Sequence, residues 1–234
     1  PDDGVVTFGQ YGERAKMNIA IGQGIERRTL HYGPRNFAAR DDVDGRIDYF
    51  NAFSEELTGY SAEEARGREF FELLIDAEMK MFKGIDTPVI FLQNVITDLL
   101  LGMRMDEVLL AYHAYVRKKY NAEAGFITMN MPRLLDVLEK GGVKDPIICS
   151  SINKAGFRMS GGKALYEETL RTRKFRAIAM QVLAGGAVPP KEAIEYVCAL
   201  PNIESILFGA TSSANIKETV SLIHKFDAEK TSKA

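Results

Sequence analysis

The chain has 234 residues, 46% of them hydrophobic and 26% charged, and its 30 basic and 32 acidic side chains leave a net charge of −2. That balance gives no basic footprint for nucleic acid and no polybasic membrane anchor. The length allows one large domain or two small ones and hides roughly 70% of the unfolded surface, enough for a sizeable core. In chain order, Gly4–Phe8 and Met17–Ile21 are expected strands. Gly, Pro, Arg and Asn are dense from Gly22 to Arg46, which reads as loop. Helices are expected over Asp48–Gly59 and Ala62–Leu74.

The second half alternates regularly. Pro88–Leu92 is a short apolar run suited to a strand buried on both faces. Asp106–Tyr120 has helical periodicity at Val108, Leu109, Tyr112 and Val116, acids at its start and Arg117-Lys118-Lys119 at its end. Ala124–Met129 is the next strand, followed by a helix at Pro132–Lys140 that stops before Gly141-Gly142. Strands at Pro146–Ser150, Phe175–Leu183 and Ile203–Phe208 alternate with helices at Gly162–Thr172, Pro189–Leu200 and Ser212–Phe226. Right-handed β/α crossovers and a parallel sheet follow. A doubly wound sheet fits the count; uniform strands and regular units favour a parallel (β/α)8-type TIM barrel that lacks or alters an early unit. The expected organisation is a single domain over residues 1–234. Its first 85 residues are irregular, residues 86–226 carry the regular units and 227–234 form a flexible tail.

The longest apolar stretch, Val89–Met105, is broken by Gln93, Asn94, Asp98 and Arg104, short of the roughly 20 apolar residues a membrane span needs. Cys149 and Cys198 have no metal-ligand spacing, and three scattered histidines form no His-x-x-x-His. No metal site is expected, and the thiols read as reduced core residues of a cytoplasmic protein.

Phe175–Gly186 followed by Pro190–Val197 resembles strand seven and helix seven of the aldo-keto reductases. Leu200–Ser213 with Ile216–Ile223 is similar to that family's strand eight and following helix, where the cofactor's adenosine end is held. Gly125–Asn130 and Ile147–Asn153 resemble strands five and six. The resemblance implies a barrel, NAD(P)H as cofactor and a carbonyl substrate. It nominates Asn130, Asn153, Gln181, Gly209, Thr211, Ser212 and Glu218 for cofactor binding. Asp44–Tyr49, followed by Phe53–Gly59, is similar to the family's Asp…Tyr segment. That nominates Tyr49 as proton donor with Asp44 or Asp48, and Lys83 or Lys80 as the basic partner. Departures fall on the chemistry: Gln93 stands at the family's His, Cys149 and Ile152 at its Gln and stacking Tyr, and Asn215 at its phosphate-gripping basic residue. Gln93 can orient a carbonyl but cannot tune a proton near neutral pH as imidazole does.

Asp42–Asn51, then Glu56–Tyr60 and Glu64–Gly67, also resembles a PAS sensor domain. Three expectations stand: an altered aldo-keto-reductase-like oxidoreductase; a non-redox barrel that binds a small polar or phosphorylated ligand or serves as a non-catalytic subunit; and a PAS-type module fused to a barrel. A small-molecule ligand is expected in each barrel reading, because the strand ends carry the polar set Gln93, Asn94, Thr128, Asn130, Ser150, Asn153, Lys154 and Gln181. Glycines after strands seven and eight suit phosphate binding by backbone N–H groups.

Overall fold

The computed structural model describes residues 5–7, 29–31, 38–41, 47–50, 55, 56 and 58–231. They fall into two compact units that divide between Pro88 and Val89, with Val5–Thr7 belonging to the second.

In the first unit, β2 (Thr29–His31), β3 (Ala38–Asp41) and β4 (Ile47–Phe50) form an antiparallel sheet in that order. The helix expected from Asp48 is replaced at its start by β4, where Ile47, Tyr49 and Phe50 are residues that fit a pleated surface. Strands β2 and β3 also lie inside the segment expected to be loop. The helix expected over Ala62–Leu74 is two helices, α1 (Ala62–Ala65) and α2 (Phe70–Met79). A capping box between Ser61 and Glu64 opens α1, and Gly67, at φ +77°, breaks the run. Ile47 is buried and exchanges backbone hydrogen bonds with the turn, donating to Arg68 O (2.9 Å) and accepting from Gly67 N (2.8 Å).

The second unit is a parallel α/β sheet in the order β1-β5-β6-β7-β8-β9. Its strands are β1 (Val5–Thr7), β5 (Val89–Leu92), β6 (Glu123–Thr128), β7 (Ile147–Ser151), β8 (Arg176–Met180) and β9 (Ile203–Leu207). Every adjacent pair is parallel, as the apolar strands and helical connections require. The intervening helices are α3 (Asn94–Gly102), α4 (Asp106–Tyr120), α5 (Met131–Lys140), α6 (Lys163–Thr172), α7 (Pro190–Ala199) and α8 (Ser213–Thr231).

The strand order never reverses. A doubly wound sheet turns back at a switch point, whereas right-handed crossovers that always step the same way put all helices on one face. The side chains agree. Ile90, Phe126, Ile148, Ala177 and Ala179 are fully buried on the helix-covered face. There the α4 Tyr112 hydroxyl donates to Ile90 O (2.7 Å), and the Tyr112 ring meets Phe126 edge-on at 5.4 Å. On the other face, Phe91, Ile127, Ile147 and Cys149 form a second apolar cluster with Val89, Ile178 and Met180.

The expected closed barrel is not what the described residues make: the sheet is open, with β1 and β9 as its edges. Closure needs strands beside both edges, and the second early strand expected, Met17–Ile21, lies outside the described residues. Strand β9 accordingly keeps Glu204, Ser205 and Leu207 exposed.

Candidate functional site

The carboxyl ends of β7, β8 and β9 converge on one groove, and the local sequence shapes it. The connection from β7 to α6 runs over residues 152–162, longer than the 2–6 residues usual between strand and helix. Asn153, fully buried, anchors it: Nδ2 donates to Phe157 O (2.9 Å) and Oδ1 accepts from Phe157 N (2.8 Å). Gly156 permits the turn at φ +72°, and Arg158 follows at φ +53°, a left-handed conformation uncommon for a residue with a side chain. Beyond it Met159 is buried and Ser160 N donates to Met129 O (2.9 Å).

Just past the end of β8 stands Gln181, also left-handed at φ +54°. Its Oε1 accepts from the buried Ser151 hydroxyl (2.5 Å), while its NH2 has no protein acceptor among the described residues. A tight turn through Gly185 and Gly186 follows, and β9 ends at Leu207, with Phe208 and Gly209 just beyond it. These segments enclose about 680 Å³, lined by Phe157, Arg158, Met180–Leu183, Gly185, Gly186 and Leu207–Gly209. That volume falls in the range of small-molecule sites.

The chemistry of the lining is one-sided. Among the described residues its two polar side chains, Arg158 and Gln181, both carry free donors, and Ser151 occupies one acceptor position of the Gln181 carbonyl. The Arg158 Cζ lies 5.2 Å from the centre of the Phe157 ring, and among the described residues Arg158 makes no ion pair and no carboxylate lines the groove. Phe157 and Leu207, 40% and 46% exposed, add apolar surface. Such a groove accepts a molecule with an acceptor-rich, anionic end and an apolar or aromatic body.

Of the residues expected to bind cofactor, Gln181 and Gly209 line the groove, and Asn153 shapes it without facing it. Thr211 and Ser212 precede α8. There Ser212 Oγ accepts from Asn215 N (3.2 Å), and Asn215 Nδ2 reaches Thr211 Oγ1 (3.3 Å). Glu218 is exposed on α8, and Asn130 leads into α5 without capping it. Gln93, expected to orient a carbonyl, caps α3, its Oε1 accepting from Val95 N (2.9 Å). Tyr49 and Asp48 lie in β4 of the first unit, and Asp44 lies outside the described residues. Lys80 is engaged there with Thr58 O (3.1 Å), Gly59 O (2.8 Å) and the Tyr60 ring (3.3 Å), while Lys83 is exposed. Lys154 pairs with Glu192 of α7. Cys149 and Cys198 are buried, and burial pushes the Cys149 thiol up to about 12, which keeps it inert.

The sequence reading does not single out Arg158, which only the convergence of the β7, β8 and β9 connections makes a lining residue. It also passes over Asp98, whose carboxylate accepts from Thr128 Oγ1 (2.5 Å) and Met129 N (3.0 Å) and so holds the β6–α5 turn. Burial raises the Asp98 pKa despite these donors. A raised folded pKa makes its contribution to stability fullest at low pH and lost as pH climbs through the folded value. Asp98→Ala should cost about 1–3 kcal/mol in urea unfolding, by leaving Met129 N and Thr128 without their acceptor. The loss should be larger at pH 4 than at pH 7.

Comparison with protein families, with curated proteins and with solved structures gave no match to this chain.

Proposed function

We propose that the second unit is the wall of a (β/α)8-type barrel, and that the groove at its carboxyl end binds a small molecule carrying a phosphate. The observation that carries this reading is the donor-bearing polar lining: among the described residues the guanidinium of Arg158 and the NH2 of Gln181 lack protein acceptors, and both stand beside apolar surface. The unreversed strand order and the second apolar cluster on the face away from the helices support the barrel wall. Barrel enzymes work at this end of their strands and commonly hold phosphate after strands seven and eight.

The resemblance to aldo-keto reductases over residues 87–226 makes NAD(P)H the first candidate ligand. A nucleotide matches the groove in having charged phosphates and flat rings. Reduction of a carbonyl would add Tyr49 as proton donor. Of its two candidate basic partners, Lys83 is the one left, since Lys80 is occupied by two carbonyls and a ring. Binding does not depend on that extension.

Calorimetric titration with inorganic pyrophosphate, NADPH and NADH tests the reading. Pyrophosphate and both nucleotides are expected to bind, the nucleotides within about tenfold of each other. Asn215 brings no charge to a 2′-phosphate, and a charge-assisted hydrogen bond is worth about 1.5–3 kcal/mol. Absence of binding by all three would remove the reading. NADPH preferred a hundredfold would contradict the role given to Asn215.

A PAS-type module is the second reading, and one observation favours it. The stretch that resembles PAS includes β4, which pairs antiparallel with β3, and it runs into the Ser61–Glu64 capping box.

A further inference from the structure

We infer, on the basis of the phosphate-binding reading above, that Asn153 is the positioning residue that presents Arg158 to the ligand. The fully buried Asn153 amide holds the Phe157 backbone by both its ends, Nδ2 to Phe157 O at 2.9 Å and Oδ1 from Phe157 N at 2.8 Å. On the other side, Met159 is buried and Ser160 N is tied to Met129 O at 2.9 Å. Arg158 is thus the one exposed residue between two fixed neighbours, in a left-handed conformation at φ +53°. A residue with a side chain is strained in the left-handed region and persists there only where its surroundings over-determine it. Here the Asn153 clamp supplies that determination. Preorganisation removes part of the entropic cost of ordering a long cationic side chain at the moment of binding. Asn153 therefore acts on the ligand through Arg158 and makes no contact of its own.

The test combines pyrophosphate titration with tryptic cleavage of the Arg158–Met159 bond, followed by mass spectrometry on the full chain. Asn153→Ala should weaken pyrophosphate roughly tenfold or more and speed cleavage at that bond. Added to Arg158→Ala, it should weaken binding no further, because its effect is exerted through the missing side chain. Should Asn153→Ala fail to fold, Gly156→Ala disturbs the same turn through its φ of +72°, with only the Lys163 side chain and backbone nearby at 3.6 and 4.0 Å. The same pair of effects is then expected. Faster cleavage with unchanged affinity, or losses that add in the double variant, overturns the positioning role while the groove reading stands. No pyrophosphate binding by the wild-type chain overturns the groove reading and this role together.

Discussion

Gly125→Ala is expected to destabilise the second unit by about 1–3 kcal/mol, and Gly125→Val by more. Gly125 is opposite Phe91 across the β5–β6 pair, and the Phe91 ring lies over it. A Cβ built on Gly125 falls 2.5 Å from two ring carbons and 2.9 Å from a third, closer than such atoms approach. Phe91 is buried against Ile127, Ile147 and Cys149, so the ring has nowhere to move without displacing the cluster. The change is read as a lower urea midpoint with an unchanged slope. Phe91→Leu in the Gly125→Ala background should recover part of the loss, since the two residues touch and their effects are coupled. Additive losses would mean that the ring does not fill the space the glycine leaves.

Arg158→Glu should weaken pyrophosphate binding by at least a hundredfold while leaving thermal stability nearly unchanged. Charge-assisted hydrogen bonds from a guanidinium are worth about 1.5–3 kcal/mol, which alone is roughly 10- to 150-fold. The new carboxylate then adds repulsion where the lining has no other charge to offset it. Stability should hold because Arg158 is exposed and makes no ion pair among the described residues. An exposed cation is screened over about 10 Å at 0.1 M salt, so wild-type affinity should fall as salt rises. The Arg158→Glu variant should lose that sensitivity or reverse it. Arg158→Lys should retain part of the affinity, with the charge kept and the two-pronged geometry lost.

Local chemistry made the regular half legible. Helix α4 runs over Asp106–Tyr120 as expected, because acids at its start and Arg117-Lys118-Lys119 at its end mark it in the sequence; a left-handed Asn121 ends it in the structure. The strands from Val89 onward fall within a few residues of their apolar runs for the same reason. Helix α3 was not visible because its pattern is inverted: Thr97, on the polar stripe Asn94, Thr97 and Asp98, is buried, while Val95 and Leu99 are exposed. In the first unit, β2 to β4 are three or four residues long and set among glycine- and arginine-rich segments, so their pairing rather than their composition defines them.

The groove was legible only in part. Gln181 and Gly209 end strands and were expected at the rim, as the alternation of the strands dictates. Arg158 becomes a site residue only when the sheet order brings three separate connections together, and no local signal encodes that. Asn153 shows the converse. Its place at a strand end suggested contact with a ligand, whereas its amide is used up on a backbone four residues away.

The central claim is the location of the ligand, and amide-resolved NMR titration with inorganic pyrophosphate tests it most directly. The largest shifts are predicted at Arg158, Gln181, Gly185, Gly186 and Gly209, all of which border the groove, and they should vanish in Arg158→Glu. Shifts confined to residues away from the β8 and β9 ends, or unchanged by Arg158→Glu, would contradict the account.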